Sequence, residues 1–203
     1  IFIFIFGITS CNNNQKNKES KVTKSDKENI VSSTSLTERE KGILKATGTD
    51  EIFVFDIDLS NKVKKNKIIS ILMDQYIKGK FDKQIINFNT PVNNFKKSQL
   101  KVLIAINDFN TNKSQKNIIA SIFDNKGTSS FSGKIELPGK SYSENSNSID
   151  KRSFELGETV KLAAITYSKN TIYIIKDDFF KKDIKSSLGK IKENEMVYIL
   201  KLK

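Results

Sequence analysis

From Gln99 to its last residue the chain runs in short apolar stretches closed by polar turns, and this rhythm constrains the fold more than any other feature. In Gln99 to Asn107, Leu100, Val102, Ile104 and Ile106 recur at the two-residue period that puts every second side chain on one face of a strand. Asn117 to Phe123 continues the pattern, and Asp124-Asn125-Lys126-Gly127 is a tight-turn sequence leading into a strand at Ser129 to Leu137. Ser153 to Leu156, Thr159 to Tyr167, Thr171 to Lys176 and Glu195 to Leu202 read as further strands. Pro138 to Arg152, rich in Ser, Asn, Gly and Lys, reads as a long exposed loop. Nearer the start, Glu51 to Leu59 (EIFVFDIDL) is a strand with alternating acidic residues at its end, and Gln84 to Phe88 is a short one closed by Pro91.

Three segments carry a helical signature. Ser35 followed by Glu38 matches the box that caps a helix start, with Leu36, Ile43 and Leu44 as a sparse stripe and Gly48 as the stop. From Lys67 to Lys78 the rows Ile68, Leu72, Tyr76 and Ile69, Met73, Ile77 form adjacent faces at helical spacing, ending at Gly79. Asp177 to Leu188 reads as a further short helix ending at Gly189. Strands joined by short turns, with the one crossover helix in the first third, argue for antiparallel pairing. The expected fold is mainly β (α+β): an antiparallel β-sandwich or half-open barrel of seven to nine strands with one or two packed helices, forming a single domain over residues 36–203.

The residue inventory narrows the chemistry. The chain has no His, no Trp and a single Cys, Cys11. That removes Ser-His-Asp and Cys-His triads, His- or Cys-ligated zinc and haem held through His. No catalytic residue, metal or cofactor is assigned. With one cysteine the fold has no disulfide of its own and relies on an ordinary core.

Ile1 to Ser10 (IFIFIFGITS) is apolar, and Cys11 is followed by Asn12, Asn13, Asn14 and Gln15, so hydrophobicity collapses at one position. A run of ~10 apolar residues is too short to span a bilayer but fits the apolar part of a signal peptide. Gly7-Ile8-Thr9-Ser10-Cys11 resembles the lipobox of bacterial lipoproteins, with Ile8 at −3, Ser10 at −1 and the acylated cysteine at Cys11. The resemblance implies that residues 1–10 are the end of a removed signal peptide and that lipid on Cys11 holds the protein to a membrane. Thr9 at −2 resembles the relaxed lipoboxes of spirochaetal outer-surface lipoproteins, among which the S2-antigen type is one candidate. Asn12 to Ser35 holds only Val22, Ile30 and Val31 as aliphatics, so a disordered tether of residues 11–35 is expected.

The net charge is +12, yet of 35 basic residues only Arg39 and Arg152 are arginine. Arginine supplies the planar fork that grips phosphates and reads guanine, so nucleic acid is not the expected partner. Abundant Lys, Asn and Ile fit an A/T-rich coding bias with a solvated lysine surface. The densest group, Lys62, Lys64, Lys65 and Lys67, is the candidate contact for a polyanion, with Lys96, Lys97 and Lys101 a second group. Tyr142, Tyr167, Tyr173, Phe109, Phe131, Phe179 and Phe180 are read as core before they are read as a contact surface.

Phe53-Val54-Phe55-Asp56-Ile57-Asp58-Leu59-Ser60 is similar to the first motif of haloacid-dehalogenase-type phosphatases. That resemblance implies Asp56 as nucleophile and Asp58 as general acid, and Tyr173 to Asp178 is similar to that family's magnesium-binding motif. Ser60 departs from the family's Thr or Val, and the chain lacks the alternating strands and helices of a doubly wound fold. The plainer reading turns both aspartates to solvent and Phe53, Phe55 and Ile57 inward. Asp56-x-Asp58-x-Ser60 also mimics the start of an EF-hand, but Asn61 and Lys67 stand where Gly and Glu are required. The leading expectation is a non-enzymatic, monomeric surface lipoprotein of the outer membrane that contacts a host protein, an anionic glycan or envelope macromolecules. A periplasmic envelope-assembly role is the alternative, and a magnesium-dependent phosphatase using Asp56 and Asp58 the remote one.

Overall fold

The computed structural model of the chain describes residues 28–60, 67–95, 99–108, 114–139, 141–181, 189 and 191–203. They form eleven strands in two antiparallel sheets, the sandwich expected from the strand rhythm and not a closed barrel. The six-stranded sheet contains β1 (Asn29–Ser33), β2 (Thr49–Asp58), β5 (Gln99–Asn107), β6 (Gln115–Phe123), β7 (Thr128–Glu136) and β9 (Lys151–Phe154), in the order β7-β6-β5-β2-β1-β9. The five-stranded sheet contains β3 (Ile68–Ile77), β4 (Lys80–Pro91), β8 (Ser143–Ser148), β10 (Val160–Ser168) and β11 (Met196–Leu202), in the order β4-β3-β11-β10-β8. Phe55, Ile57, Val102, Ile104, Ile118 and Ile122 from the first sheet meet Ile71, Met73, Ile165, Tyr198 and Leu200 from the second in one continuous core.

The chain changes sheets at a two-residue corner between β8 and β9. Ile149 N–H still donates to Leu162 O of β10 (2.8 Å), while Asp150 O already accepts from Ser33 N–H of β1 (2.8 Å). On the opposite side β4 meets β7 through Thr90 Oγ1 to Ser129 Oγ (3.2 Å) and Lys83 Nζ to Glu136 Oε1 (2.8 Å). All nine residues of β10 are buried, so both of its faces are covered. On its outer side α2 (Asp178–Lys181) packs against it with Phe179 and Phe180 buried, next to the buried Ile175. The buried ammonium of Lys161 and the guanidinium of Arg152 donate to the carbonyls of Phe179 and Phe180 at the end of that turn.

Several elements differ from the sequence reading. Lys67 to Lys78 is strand β3, not a helix. A short and nearly continuous apolar run satisfies both periods, and four β-branched isoleucines in a strand flanked by β11 and β4 settle it for the sheet. Gly79, read as a helix stop, is the second turn residue of the β3–β4 hairpin: Lys78 (φ 48°) and Gly79 (φ 77°) both adopt the left-handed region. A Cβ on Gly79 would also lie 2.7 Å from Cβ of Lys192. The strand expected at Gln84 to Phe88 spans Lys80–Pro91.

The first helix, α1 (Glu38–Ala46), starts two residues later than expected. Thr37 and Glu40 form the capping box, while Glu38 pairs with Lys41 on the surface. The expected tether ends too late, because Asn29–Ser33 is paired on both sides, with β2 and with β9, and Val31 is fully buried. The expected loop 138–152 contains β8 and the start of β9. Thr171 to Lys176 is irregular, not a strand, and the Asn194 amide satisfies Tyr173 N–H and C=O in place of a neighbouring strand (3.0 and 2.9 Å). Of the helix expected to run to Leu188, α2 is described and residues 182–188 lie outside the described residues.

Candidate functional site

The strand registers define two ends of the sandwich. Ile30, Asp58 and Gln99 align at one end of the six-stranded sheet, and Thr49, Asn107 and Asn117 at the other. The chain enters the first sheet at Asn29, at the Asp58 end. At the Thr49 end, the five-stranded sheet contributes the β3–β4 turn, the start of β8 and the start of β11.

That Thr49 end holds a polar cluster between the sheets. Lys116 stands in the core-facing row of β6 with Ile118, Ala120 and Ile122, and is only 5% exposed. Its Nζ lies 2.9 Å from Glu144 Oε2 of β8 and 3.2 Å from Asp50 Oδ2 of β2. Tyr167, fully buried on β10, donates its hydroxyl to the other Glu144 oxygen (3.0 Å). Tyr142 packs edge-on against Tyr167 (5.2 Å), and Tyr167 against Tyr198 (6.0 Å). Tyr198 closes the row by accepting from Glu136 N–H (3.0 Å) and donating to Glu136 C=O (2.7 Å) in β7. Beside the cluster, Ser146 donates to Glu51 Oε2 (2.9 Å).

Electrostatics follow from this packing. Burial alone would lower the Lys116 amine, but the hydrogen bond and charge of Glu144 outweigh it and raise the amine above its ordinary value. Burial pushes Glu51 up against the pull of Ser146, with the Glu144 charge adding to the rise. Burial also raises the Tyr167 phenol, helped by the Glu144 charge.

On the surface of the same end, the turn between Ile77 and Lys80, the turn at 192–195 and the segment 169–174 are joined into one patch. Lys78 N–H donates to Glu195 O (3.1 Å), Lys169 N–H donates to a Glu195 carboxylate oxygen (3.1 Å), and Asn194 holds Tyr173. Ile77, Phe81, Tyr173 and Ile174 are four of the seven large apolar side chains exposed among the described residues, and the exposed Lys78, Lys80, Lys169 and Lys192 lie in the same turns and segment.

The residues singled out from sequence are distributed differently. Asp56 and Asp58 point outward from β2 while Phe53, Phe55 and Ile57 point into the core, as the plainer reading required. They line a shallow depression of about 550 Å³ with Ser32, Lys101 and Asp124. Burial would raise Asp56, but hydrogen bonds from Lys101 Nζ (2.6 Å) and Thr34 Oγ1 (2.6 Å) outweigh it and hold the carboxyl low. Asp177 lines another depression, with Arg152 and Lys181. The doubly wound parallel sheet implied by the phosphatase motif is replaced by antiparallel pairing on both sides of β2. Among the described residues no group of three or more acidic or thiol ligands is arranged to hold a metal ion.

Tyr167, Phe179 and Phe180 are buried and Phe131 packs against the core, so these aromatics are structural, whereas Tyr173 is exposed. Cys11, Lys62, Lys64, Lys65, Lys96, Lys97 and Phe109 lie outside the described residues, and Lys67 is exposed at the start of β3. The Lys116–Asp50–Glu144 cluster escapes sequence reasoning because the apolar alternation of β6 reads from Asn117 and Glu144 lies in a polar stretch with the composition of a loop. The available signal was the inward parity of Ile118, Ala120 and Ile122, which extends back to a lysine.

No curated protein and no solved structure matches the chain. A family model covers residues 30–203, from β1 to the last residue, and the chain belongs to the family of YgaN domains.

Proposed function

We propose that this chain is a non-enzymatic, lipid-anchored lipoprotein of the bacterial outer membrane, whose sandwich is a contact module for host or envelope macromolecules. The observation that carries the reading is the opposition of the two ends. The lipobox-like Gly7–Cys11 precedes Asn29, where the chain enters the first sheet, and the patch of Ile77, Phe81, Tyr173 and Ile174 lies at the other end. An acylated Cys11 is separated from Asn29 by a segment whose fully extended length is about 60 Å. Attachment at the Asn29 end leaves the apolar and lysine-bearing patch, at the other end, free to face away from the membrane. Exposed apolar side chains in lysine-bearing turns suit a protein or glycan surface better than bulk water.

The anchor is tested with Cys11→Ser in the whole protein. Metabolically supplied palmitate is expected to label the parent and not the variant, and the variant is expected in the soluble fraction. A variant that stays with membranes after a high-salt wash would refute the lipid anchor. Protease accessibility of the parent on intact cells then separates a surface module, which is cut, from an envelope-assembly module facing the periplasm, which is protected.

A further inference from the structure

A primary amine, a carboxyl and a second carboxylate brought together at a partly buried site are the parts that an amide condensation needs. Lys116 supplies the amine between the sheets, with Asp50 Oδ2 at 3.2 Å and Glu144 Oε2 at 2.9 Å. The two carboxylates are held differently. Glu144 is fixed on both oxygens, by Lys116 and by the Tyr167 hydroxyl, and its side chain is 19% exposed. Asp50 lies where the β2–β5 register shifts between Thr49 and Glu51, and its side chain is 41% exposed. We propose that Lys116 and Asp50 join in an intramolecular isopeptide bond, with Glu144 carrying the proton.

The chemistry balances without a co-reactant. As ion pairs, one ammonium and two carboxylates carry one net negative charge. Moving an ammonium proton to Asp50 leaves that charge unchanged and gives a neutral amine, a carboxylic acid and the Glu144 carboxylate. The partners that keep Lys116 charged are thus also the acceptors of its proton. The Nζ lone pair attacks Asp50 Cγ, and Glu144 takes the second Nζ proton. The tetrahedral centre then collapses as Glu144 returns that proton to the departing hydroxyl. An Nζ–Cγ bond forms, a Cγ–O bond breaks, and one water leaves through the exposed side of Asp50, with nothing oxidised or reduced. Condensation of a free amine and a free acid is disfavoured in water, but groups fixed in contact reach effective molarities on the order of 10⁵–10⁸ M. The Tyr142 and Tyr167 rings wall the inner side.

The bond would tie β2 to β6 across β5 at one end of the first sheet. It would give a covalent brace to a chain whose single cysteine, Cys11, leaves it without an internal disulfide. The inference does not depend on the membrane anchor.

Intact-mass spectrometry of the whole chain, denatured and carrying Cys11→Ser so that acylation does not alter the mass, tests it directly. The expected mass is one water below that of the sequence, and digestion is expected to yield a branched peptide joining the segments of Lys116 and Asp50. Lys116→Arg, which keeps the charge but not the nucleophile, and Glu144→Gln, which keeps the shape but not the base, are each expected at the full mass of their sequences. A parent protein at full mass overturns the proposal. So does a water loss that survives Lys116→Arg, which would place the dehydration elsewhere in the chain. A branch from Lys116 to Glu144 would overturn the assignment of Asp50 as the acceptor.

Discussion

Lys116 shows what a single residue demands of its surroundings. Removing an ammonium from water costs several kcal/mol even after the protein relaxes, so a buried lysine persists only where acceptors meet it, as the Phe179 carbonyl does at Lys161. Asp50 and Glu144 meet Lys116, and the Tyr167 hydroxyl completes the Glu144 oxygens. The tyrosines around and beyond this site add a pH dependence at the alkaline end. Burial pushes Tyr76 up to about 12, with the Asp74 charge adding to it, and burial likewise raises Tyr167 and Tyr198. Each phenol keeps its proton in the folded state at a pH where the unfolded chain has lost it. Their contribution is therefore complete below pH 10, the ordinary phenol value, and is lost as pH rises toward 12 and beyond. Urea unfolding midpoints are expected to fall steadily between pH 10 and 12. Tyrosinate absorbance from the buried rings is expected to appear together with loss of the β circular-dichroism signal. Early, complete tyrosine titration in a chain that keeps its β signal would contradict this burial.

Among the elements, α1, legible from its cap, and β1, hidden in polar sequence, make opposite contributions to the fold. The helix has a full capping box and an ion pair, but buries none of its residues and leaves Ile43 58% exposed. Thr37→Ala removes the cap, a loss of about 1 kcal/mol to the helix itself. Because α1 covers little, the cost should appear as faster amide exchange in Glu38–Ala46. The global unfolding midpoint should move by the equivalent of under about 0.5 kcal/mol, as for a surface substitution. A large drop in global stability would mean that α1 is packed more firmly than its exposure indicates. The five-residue β1 is paired on both sides and puts Val31 into the core. Local composition does not distinguish it from the polar sequence before it, since pairing with β2 and β9 creates its burial.

The whole molecule depends on that short strand, because without it β2 and β9 have no common neighbour in the first sheet. A chain beginning at Leu36, the boundary that composition suggests, is expected to leave two unpaired edges and a void at Val31, and so to aggregate or stay unfolded. A chain beginning at Glu28 is expected to fold with a cooperative thermal transition. Calorimetry of the two distinguishes them, and a stably folded Leu36 version would show that β1 is dispensable. The pairing of Asn29 with Phe154 also closes the sheet across most of the chain, so slow folding relative to helical domains of similar size is expected.

Where apolar residues alternate, as from Leu100 to Ile106 and from Ile118 to Ile122, one face is buried and period alone determines the strand. For the same reason Asp56 and Asp58, out of phase with Phe55 and Ile57, were legible as outward-facing. The antiparallel two-sheet class followed from those segments and their turns, and the absence of histidine limited the chemistry before any fold was known. Tertiary contacts settle the rest, at the places where neighbours determine burial. Ile68–Ile77 is a strand because it lies between β11 and β4, and Ser143–Ser148 is one because β10 supplies the ladder its polar side chains do not announce. The candidate cluster belongs to the same class. Lys116, Asp50 and Glu144 are separated along the chain and join only because β6, β2 and β8 end together between the sheets, so their proximity depends on register and sheet packing, which no local sequence window contains.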